Sequence, residues 1–369
     1  MADRSSKNRE GSHSLTTGSR APQQDQSLPS QRHMQTNVRH DAPDSEPYHD
    51  ALSSRPSAKR RRSSASEMLK DTIHSVEAKI SSAFLLLYHE LPDWRRDNPS
   101  ILSGYRPESN SYVDSIRSVF EVHNESVNIW SHLLGSLAFL GLFVYAIHYG
   151  WEHVVDPRYE TATKGDRLAF ACFFLGAVSC MGMSATFHCL SNHSQRVQKW
   201  GNKLDYSGIV ILIVGSYVPA LYYGFYCAED LMAWYGGAIV ALGLACMAVS
   251  WLEYFRQPAF RTFRASIFVG LGVSGVVPVI HGVFLYGYTL MNHKMGLNWV
   301  LLQGILYITG ATTYALRFPE KKWPGRFDIW GSSHQIFHWF VVAAATSHLV
   351  GMVKAFDWNH GVMSGGCHL

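Results

Sequence analysis

Five polar residues stand at the ends of long apolar stretches, where a lipid bilayer disfavours them. They are Ser184 and His188 at the end of one stretch, Asp205 at the start of the next, and His334 and His338 at the start of the last. A charge at the centre of a membrane helix costs roughly 2.5–3.5 kcal/mol on insertion scales, so polar residues that converge need a chemical reason. Three neutral imidazoles suit a tetrahedral zinc ion that keeps one position open. The residue types therefore predict Zn²⁺ held by His188, His334 and His338.

Asp205 and Ser184 give this predicted site its chemistry. Zinc can lower the pKa of a bound water to about 7, which makes hydroxide available at neutral pH. We expect Asp205 to accept a hydrogen bond from that water and to act as a general base. Ser184 would hold either Asp205 or a developing oxyanion, and the sequence leaves these two roles open. An activated water beside a general base would make the zinc catalytic, whereas a fourth protein ligand would make it structural.

Seven apolar stretches are long enough to cross a bilayer, which predicts an all-α bundle of seven transmembrane helices. At about 1.5 Å per residue, each can cross the roughly 30 Å of hydrocarbon. Pro219 and Pro278 fall inside two of them, where neighbouring helices can satisfy the freed carbonyl groups. In chain order, the predicted spans 1 to 7 are 128–149, 166–188, 204–224, 231–254, 264–288, 297–316 and 331–355.

Charges in the loops predict the orientation of the bundle. Loops two, four and six carry three, three and four Lys or Arg residues, whereas the other loops and the C-terminal tail together carry five. Basic loops stay in the cytoplasm. The N-terminus is therefore expected in the cytoplasm and the C-terminus outside, the reverse of a G-protein-coupled receptor. This orientation puts His188, Asp205 and the last-span histidines in the inner-leaflet half. His334 and His338 are four residues apart and share one helix face.

The remaining span histidines have simpler interpretations. A lone histidine near the end of a span is usually an interfacial residue. We expect that role for His132, His148, His153 and His293. Deeper histidines commonly form helix–helix hydrogen bonds, which we expect for His281 and His348.

Outside the membrane domain, residues 128–355, the chain divides into three segments. Residues 1–66 are rich in Ser, Arg, Gln and Pro and are expected to form a disordered cytoplasmic tail. Residues 67–127 are a cytoplasmic juxtamembrane region, where apolar residues from Leu69 to Leu87 at spacings of three and four predict an amphipathic helix. Residues 356–369 are a short outer tail. The six cysteines lack a CxxC spacing and disfavour a disulfide framework, which leaves a Cys227–Cys367 bridge on the outer face as an open alternative.

Several motifs resemble the adiponectin receptors. They are Leu91-Pro92-Asp93-Trp94 before the spans, Asn128-Ile129-Trp130-Ser131-His132-Leu133-Leu134-Gly135 at span 1, Ser184-Ala185-Thr186-Phe187-His188, Lys203-Leu204-Asp205-Tyr206-Ser207-Gly208-Ile209, and Phe327-Asp328-Ile329-Trp330 followed by Ser333-His334-Gln335-Ile336-Phe337-His338. Over about residues 88–355 the chain is similar to the progestin and adipoQ receptor family, also called the haemolysin III-related family. Gly331-Ser332 replaces a bulkier pair, and the outer loops and tail show no resemblance. These departures leave open a closer likeness to the fungal, osmotin-receptor-like and zinc-homeostasis-linked branch.

The resemblance implies a seven-helix fold with the N-terminus inside. It implies zinc on His188, His334 and His338, with Asp205 near the metal-bound water and Ser184 beside it. For related proteins it implies hydrolysis of a lipid amide, ceramide to sphingosine and fatty acid, together with receptor roles for extracellular protein ligands.

Two functions remain open at this point. The first is a zinc-dependent intramembrane lipid amidase with a ceramide-like substrate, and the second is a signalling receptor in which zinc is purely structural. A transporter or channel fits poorly, because the polar residues cluster at one end and no ligand ladder crosses the bilayer. The expected partners are membrane lipids and an extracellular protein ligand, without nucleic acid, and the oligomeric state is left open. A multi-pass protein of this kind is expected in the plasma membrane, with the endoplasmic reticulum as the alternative.

Overall fold

Seven helices of the computed structural model are long and apolar enough to cross a membrane. The structure describes residues 68–70, 72, 85–256 and 260–367, and among these the only β-pairing is an isolated bridge between Leu86 and Tyr105. The all-α, seven-helix prediction is thereby confirmed. Spans 1 to 7 are Ser126–Val155, Lys164–Leu190, Gln195–Gly224, Glu229–Trp251, Ser266–Met295, Leu297–Leu316 and Ser333–Val362.

The helices run beyond the predicted apolar stretches at several ends. Span 3 begins at Gln195 rather than at residue 204, so Asp205 lies well inside a helix. Span 1 continues through a π-helical segment, Ala146–Val155, and span 7 through another, Trp358–Val362. These helix ends contain polar residues, so a prediction from hydropathy alone leaves them out of the span. The predicted disordered tail and most of the predicted amphipathic helix lie outside the described residues.

Span 5 is interrupted, whereas span 3 is continuous through its proline. Helices Arg261–Val273 and Val276–Met295 meet at a break, and Pro278 lies in the first turn of the second helix, where its missing N–H costs no hydrogen bond. A further kink falls at Gly287, whose φ of 75° is left-handed. Pro219 stays inside the helix Gln195–Gly224.

Spans 2 and 3 pack closely because glycines let their backbones approach. A Cβ on Gly208 would lie 2.8 Å from the Cα of Cys180, and one on Gly215 would lie 2.6 Å from the carbonyl oxygen of Cys172. Small residues at a membrane-helix interface commonly serve this purpose. Gly208 follows Asp205 by three residues and Cys180 precedes Ser184 by four, so the contact brings Ser184 and Asp205 together.

The two ends of the bundle carry different polar groups. One end, which we call the histidine end, contains His188, Asp205, His334 and His338. At the opposite end the fully buried carboxylate of Asp166 accepts hydrogen bonds from the Tyr223 hydroxyl and from Nε2 of His360, both at 2.9 Å. The backbone N–H and hydroxyl of Thr163 also donate to Asp166 and begin span 2 with a capping box.

A disulfide bond also lies at the opposite end. It joins Cys227, just after span 3, to Cys367 near the C-terminus, with their Cα atoms 5.5 Å apart. The open alternative for these two cysteines is therefore the arrangement in the structure. The bond ties the C-terminal segment to the loop between spans 3 and 4.

Candidate metal centre

The structure brings His188, His334 and His338 together at the histidine end. One ring nitrogen of each lies within 4.8 Å of the others. The ring centroids are 4.8–4.9 Å apart, and the ring planes are inclined to one another by 53° to 82°. Two of the rings are buried, with 2% of His188 and 1% of His338 exposed, and His334 is half-buried. Three inclined rings around one point can present three nitrogens to a single tetrahedral ion.

Hydrogen bonds to the far side of two rings leave the correct nitrogen for a metal. Nδ1 of His188 donates to the carboxylate of Glu125 at 2.8 Å, and Nδ1 of His338 donates to the carbonyl of Asn128 at 3.1 Å. Because Nδ1 carries the proton in each neutral ring, Nε2 keeps a free lone pair. Nε2 of His188 is buried without a hydrogen-bond partner among the described residues. This orphaned acceptor in a histidine-only donor set fits zinc.

Asp205 and Ser184 lie beside the histidines, on the packed faces of spans 3 and 2. The Ser184 hydroxyl is close to the Asp205 carboxyl, and Asp205 is near enough to His188 for electrostatic interaction. Asp205 is not among the residues whose ligand atoms meet at the three-histidine point. The structure therefore brings Ser184 near Asp205, and both roles of Ser184 stay predictions.

The sequence comparisons agree with this architecture. A sequence profile described as haemolysin-III related matches residues 120–349. The chain belongs to the haemolysin-III-related family. The matched range contains the three histidines, Asp205 and Ser184, the whole of spans 2 and 3, and span 7 up to residue 349. Together with the seven apolar helices, membership identifies a multi-pass integral membrane protein.

Three relatives place the chain among adiponectin-receptor-like members of the family. The ADIPOR-like receptor IZH2 of Saccharomyces cerevisiae is 42% identical over 282 residues, which are 76% of this chain and 87% of that protein. The adiponectin receptor protein of Drosophila melanogaster is 44% identical over 265 residues, 72% of this chain and 58% of that protein. The progestin and adipoQ receptor-like protein 1 of Caenorhabditis elegans is 40% identical over 268 residues, which are 73% of this chain and 60% of that protein. The chain thus matches less than two thirds of the last two.

The segment before span 1, residues 85–125, holds the end of span 2 in this family member. The guanidinium group of Arg106, which is 2% exposed, donates to the backbone carbonyls of His188 at 2.7 Å and Cys189 at 3.0 Å. These carbonyls belong to the last turn of span 2, whose acceptors have no partner within the helix. Burial lowers the pKa of Arg106 to about 10, and Glu125 opposes the shift, so the group is charged at neutral pH.

The loop between spans 6 and 7 fixes the start of the helix that carries the other two histidines. The buried carboxylate of Glu320 accepts hydrogen bonds from the backbone N–H and the hydroxyl of Ser333. A carboxylate at a helix N-terminus satisfies free N–H groups and complements the helix dipole. Asn98 donates to the same carboxylate at 3.1 Å, which connects the segment before span 1 with span 7.

Sequence reasoning missed Glu125 and misplaced His132. Glu125 precedes span 1 just as Glu121 does, and no pattern separates the two, although only Glu125 reaches His188. The interfacial prediction for His132 is wrong, because this ring is 3% exposed and stacks on His338. It is buried because its helix face packs against span 7. His148, His153 and His293 are exposed, and their position at the membrane interface stays a prediction.

The helix–helix prediction for the two deeper histidines is confirmed. Nδ1 of His281 in span 5 is 2.7 Å from the hydroxyl of Tyr235 in span 4. Nδ1 of His348 in span 7 is 2.8 Å from the side-chain oxygen of Gln303 in span 6.

Proposed function

We propose that this adiponectin-receptor-like protein is an intramembrane zinc-dependent hydrolase of a lipid amide, with a ceramide-like substrate. The observation that carries the proposal is the placement of a carboxylate beside a three-histidine cluster, outside the set of ligand atoms that meet there. A purely structural zinc would be expected to have a fourth protein ligand. A nearby acid that is not a ligand is instead suited to proton transfer.

The residues around the cluster have separate tasks in this proposal. Zinc held by His188, His334 and His338 would supply Lewis acidity at the amide carbonyl. Asp205 accepts a proton from the attacking water at its carboxylate and returns it to the leaving amine. Ser184 orients that carboxylate through its hydroxyl. Burial of the two most enclosed histidines excludes bulk water and strengthens the local electrostatics.

The location of the cluster supports a lipid substrate. The histidines and Asp205 lie near one end of helices that could cross a membrane, which is roughly the depth of an amide below a lipid headgroup. The excess of basic loop residues at the histidine end supports a cytoplasmic location for that end. The Cys227–Cys367 disulfide at the opposite end supports an oxidising compartment there. We propose the plasma membrane as the location, with the endoplasmic reticulum as the alternative.

The second candidate is a signalling receptor with a structural zinc site. The names of the relatives favour it, since the yeast and fly proteins are both named as receptors. In that case zinc would join span 2 to span 7 and Asp205 would have no chemical task. An extracellular protein ligand and regulation of lipid or zinc homeostasis would be compatible with either candidate.

Substitution of Asp205 separates the two candidates. We expect the purified, zinc-loaded chain to release fatty acid from at least one member of a ceramide panel. Asp205→Asn should retain zinc and lose turnover, whereas His338→Ala should lose both. Asp230→Asn, an exposed acid at the opposite end, is the matched control and should behave as wild type. A wild-type protein that binds zinc and hydrolyses no ceramide would exclude the hydrolase and leave the receptor.

A further inference from the structure

The imidazole of His132 lies flat against the imidazole of His338. The two ring centroids are 3.7 Å apart and the planes differ by 10°. Both residues are buried, with 3% of His132 and 1% of His338 exposed. This is the closest ring pair in the histidine cluster, since the other centroids are 4.8–4.9 Å apart.

Span 1 contacts the edge of the His338 ring as well as its face. Nδ1 of His338 is 3.1 Å from the carbonyl of Asn128 and 3.3 Å from the hydroxyl of Ser131. Ser131 and His132 follow Asn128 by three and four residues, so both lie on the same helix face as Asn128. The edge contact alone would let the ring swing about Nδ1. The flat contact with His132 removes that freedom and thereby sets the direction of Nε2.

His132 is badly placed to be a fourth ligand of the same ion. The lone pair of an imidazole nitrogen lies in the ring plane, and zinc binds it at about 2.0–2.1 Å. Lone pairs in two nearly parallel planes 3.7 Å apart do not converge on a point at that distance from both. The three rings of the candidate centre, which are inclined by 53° to 82°, do allow such convergence.

The nitrogens of His132 also contribute little through hydrogen bonds. Neither makes a well-formed hydrogen bond to a described residue, although the backbone of His338 lies close to the ring. A buried polar atom without a partner is a cost to the fold, so the favourable contacts of this ring are not made through its nitrogens. The contact that the structure shows is the stacked face.

We propose that His132 is a positioning residue of the metal centre, whose ring face fixes the plane of His338 without binding the ion. The inference rests on the zinc centre of the proposed function and is independent of what that centre hydrolyses. It assigns span 1 a direct part in metal binding, although span 1 contributes none of the three ligands. The flatness of the residue at position 132, rather than its nitrogens, is the property that matters.

Zinc affinity of the full-length protein in detergent, measured by competition with a chelator, tests the proposal. Loss of an outer partner of a metal ligand typically weakens binding by about 10–100-fold, and we expect this for His132→Ala. His132→Phe keeps a flat ring and should stay within about threefold of wild type. His148→Ala, an exposed histidine of the same span, is the control and should not change affinity. If the alanine variant does not fold, His132→Gln replaces it, since glutamine has similar bulk without a flat ring.

Two further measurements make the outcomes distinct. Thermal midpoints of the metal-free proteins separate a folding defect from a loss of affinity, because zinc affinities are compared only among proteins that are folded at the temperature of the assay. X-ray absorption at the zinc edge of the wild-type protein should show three imidazole ligands. This measurement needs no variant. Four imidazoles, a phenylalanine variant as weak as alanine, or an alanine variant as tight as wild type would each overturn the proposal. Wild type without zinc affinity would overturn the metal centre as well, whereas zinc binding without fatty-acid release would overturn only the hydrolase.

Discussion

The carboxylate of Glu125 accepts a hydrogen bond from Nδ1 of His188 at 2.8 Å, across a separation of 63 residues in the chain. The same carboxylate oxygen accepts from the side-chain amide of Asn128 at 2.6 Å. Burial by itself would raise the pKa of Glu125, but His188 and the two hydrogen bonds hold it below its usual range. A carboxylate in this position fixes the tautomer of a metal-binding histidine and raises its basicity.

Replacement of Glu125 should therefore weaken zinc binding without removing a ligand. We expect Glu125→Gln to lower zinc affinity by about 10–100-fold, because the amide cannot stabilise the imidazole as an anion does. Chelator competition on the purified protein measures this. Glu121→Gln removes an exposed acid from the same segment and should leave affinity unchanged. Equal affinities for Glu125→Gln and wild type would show that the carboxylate does not support the metal.

Loss of Arg106 should destabilise the histidine end. Arg106→Ala leaves the carbonyl of Cys189 without this donor and the carbonyl of His188 with only the Ser191 hydroxyl, and an abandoned buried acceptor costs about 1–3 kcal/mol. We expect a lower thermal midpoint and weaker zinc binding, because the last turn of span 2 carries His188. Arg117→Ala, in the same segment with an exposed side chain, is the control. A variant with the midpoint of wild type would mean that the turn needs no external donor.

The stability of the protein should fall between about pH 6.5 and pH 4 through His123. Burial and the nearby charge of Arg106 lower the pKa of His123 to about 4, whereas an unfolded chain has a histidine pKa of about 6.5. In that window the unfolded state binds the proton first, so stability decreases as the pH decreases. Protonation would also remove the acceptor that Nδ1 of His123 offers to the N–H of Glu125.

Thermal midpoints of the metal-free protein across that pH window check this expectation. His123→Gln should have a shallower decrease than wild type, because it lacks the titrating group. His153→Asn changes an exposed histidine and should keep the slope of wild type. Identical slopes for wild type and His123→Gln would contradict the assignment.

Thiol labelling of the cysteines should reveal the orientation of the bundle in the membrane. In sealed cells or vesicles of known sidedness, we expect an impermeant thiol reagent to label Cys227 and Cys367 from the outer side only after reduction of their bond. Cys189, at the histidine end, should need permeabilisation. Cys227→Ser should expose Cys367 without reduction. Labelling of Cys189 from the outer side would place the histidines outside.

Much of the fold could be predicted because a helix that crosses a bilayer needs about 20 predominantly apolar residues in a row. Span 6 was predicted with the bounds that the structure has, Leu297–Leu316, since its apolar stretch and its helix coincide. Span 3 was not, because its helix begins at Gln195 in a polar segment that gives no hydropathy signal. The break before Val276 was also missed, since Pro278 marks a region and not the residue at which a helix stops.

The histidine cluster could be predicted because the spacing of its residues determines which helix face and which end of the bundle they share. His334 and His338 share a helix face by periodicity, and the alternation of spans brings His188 to the same end. The structure confirms that these three rings meet. Glu125 and Arg106 could not be found in this way, because both belong to an irregular segment whose path over the bundle is set by long-range contacts.

Local sequence patterns are enough to identify a seven-helix membrane protein and the three histidines that share one end of it, because hydropathy, helical period and chain reversal act locally. The surroundings of those histidines depend instead on tertiary packing. Glu125 binds the edge of His188, and His132 lies on the face of His338. These contacts depend on the rotation of one helix against another and on the path of an irregular segment. Both are fixed by packing between residues far apart in the chain, which no local pattern records.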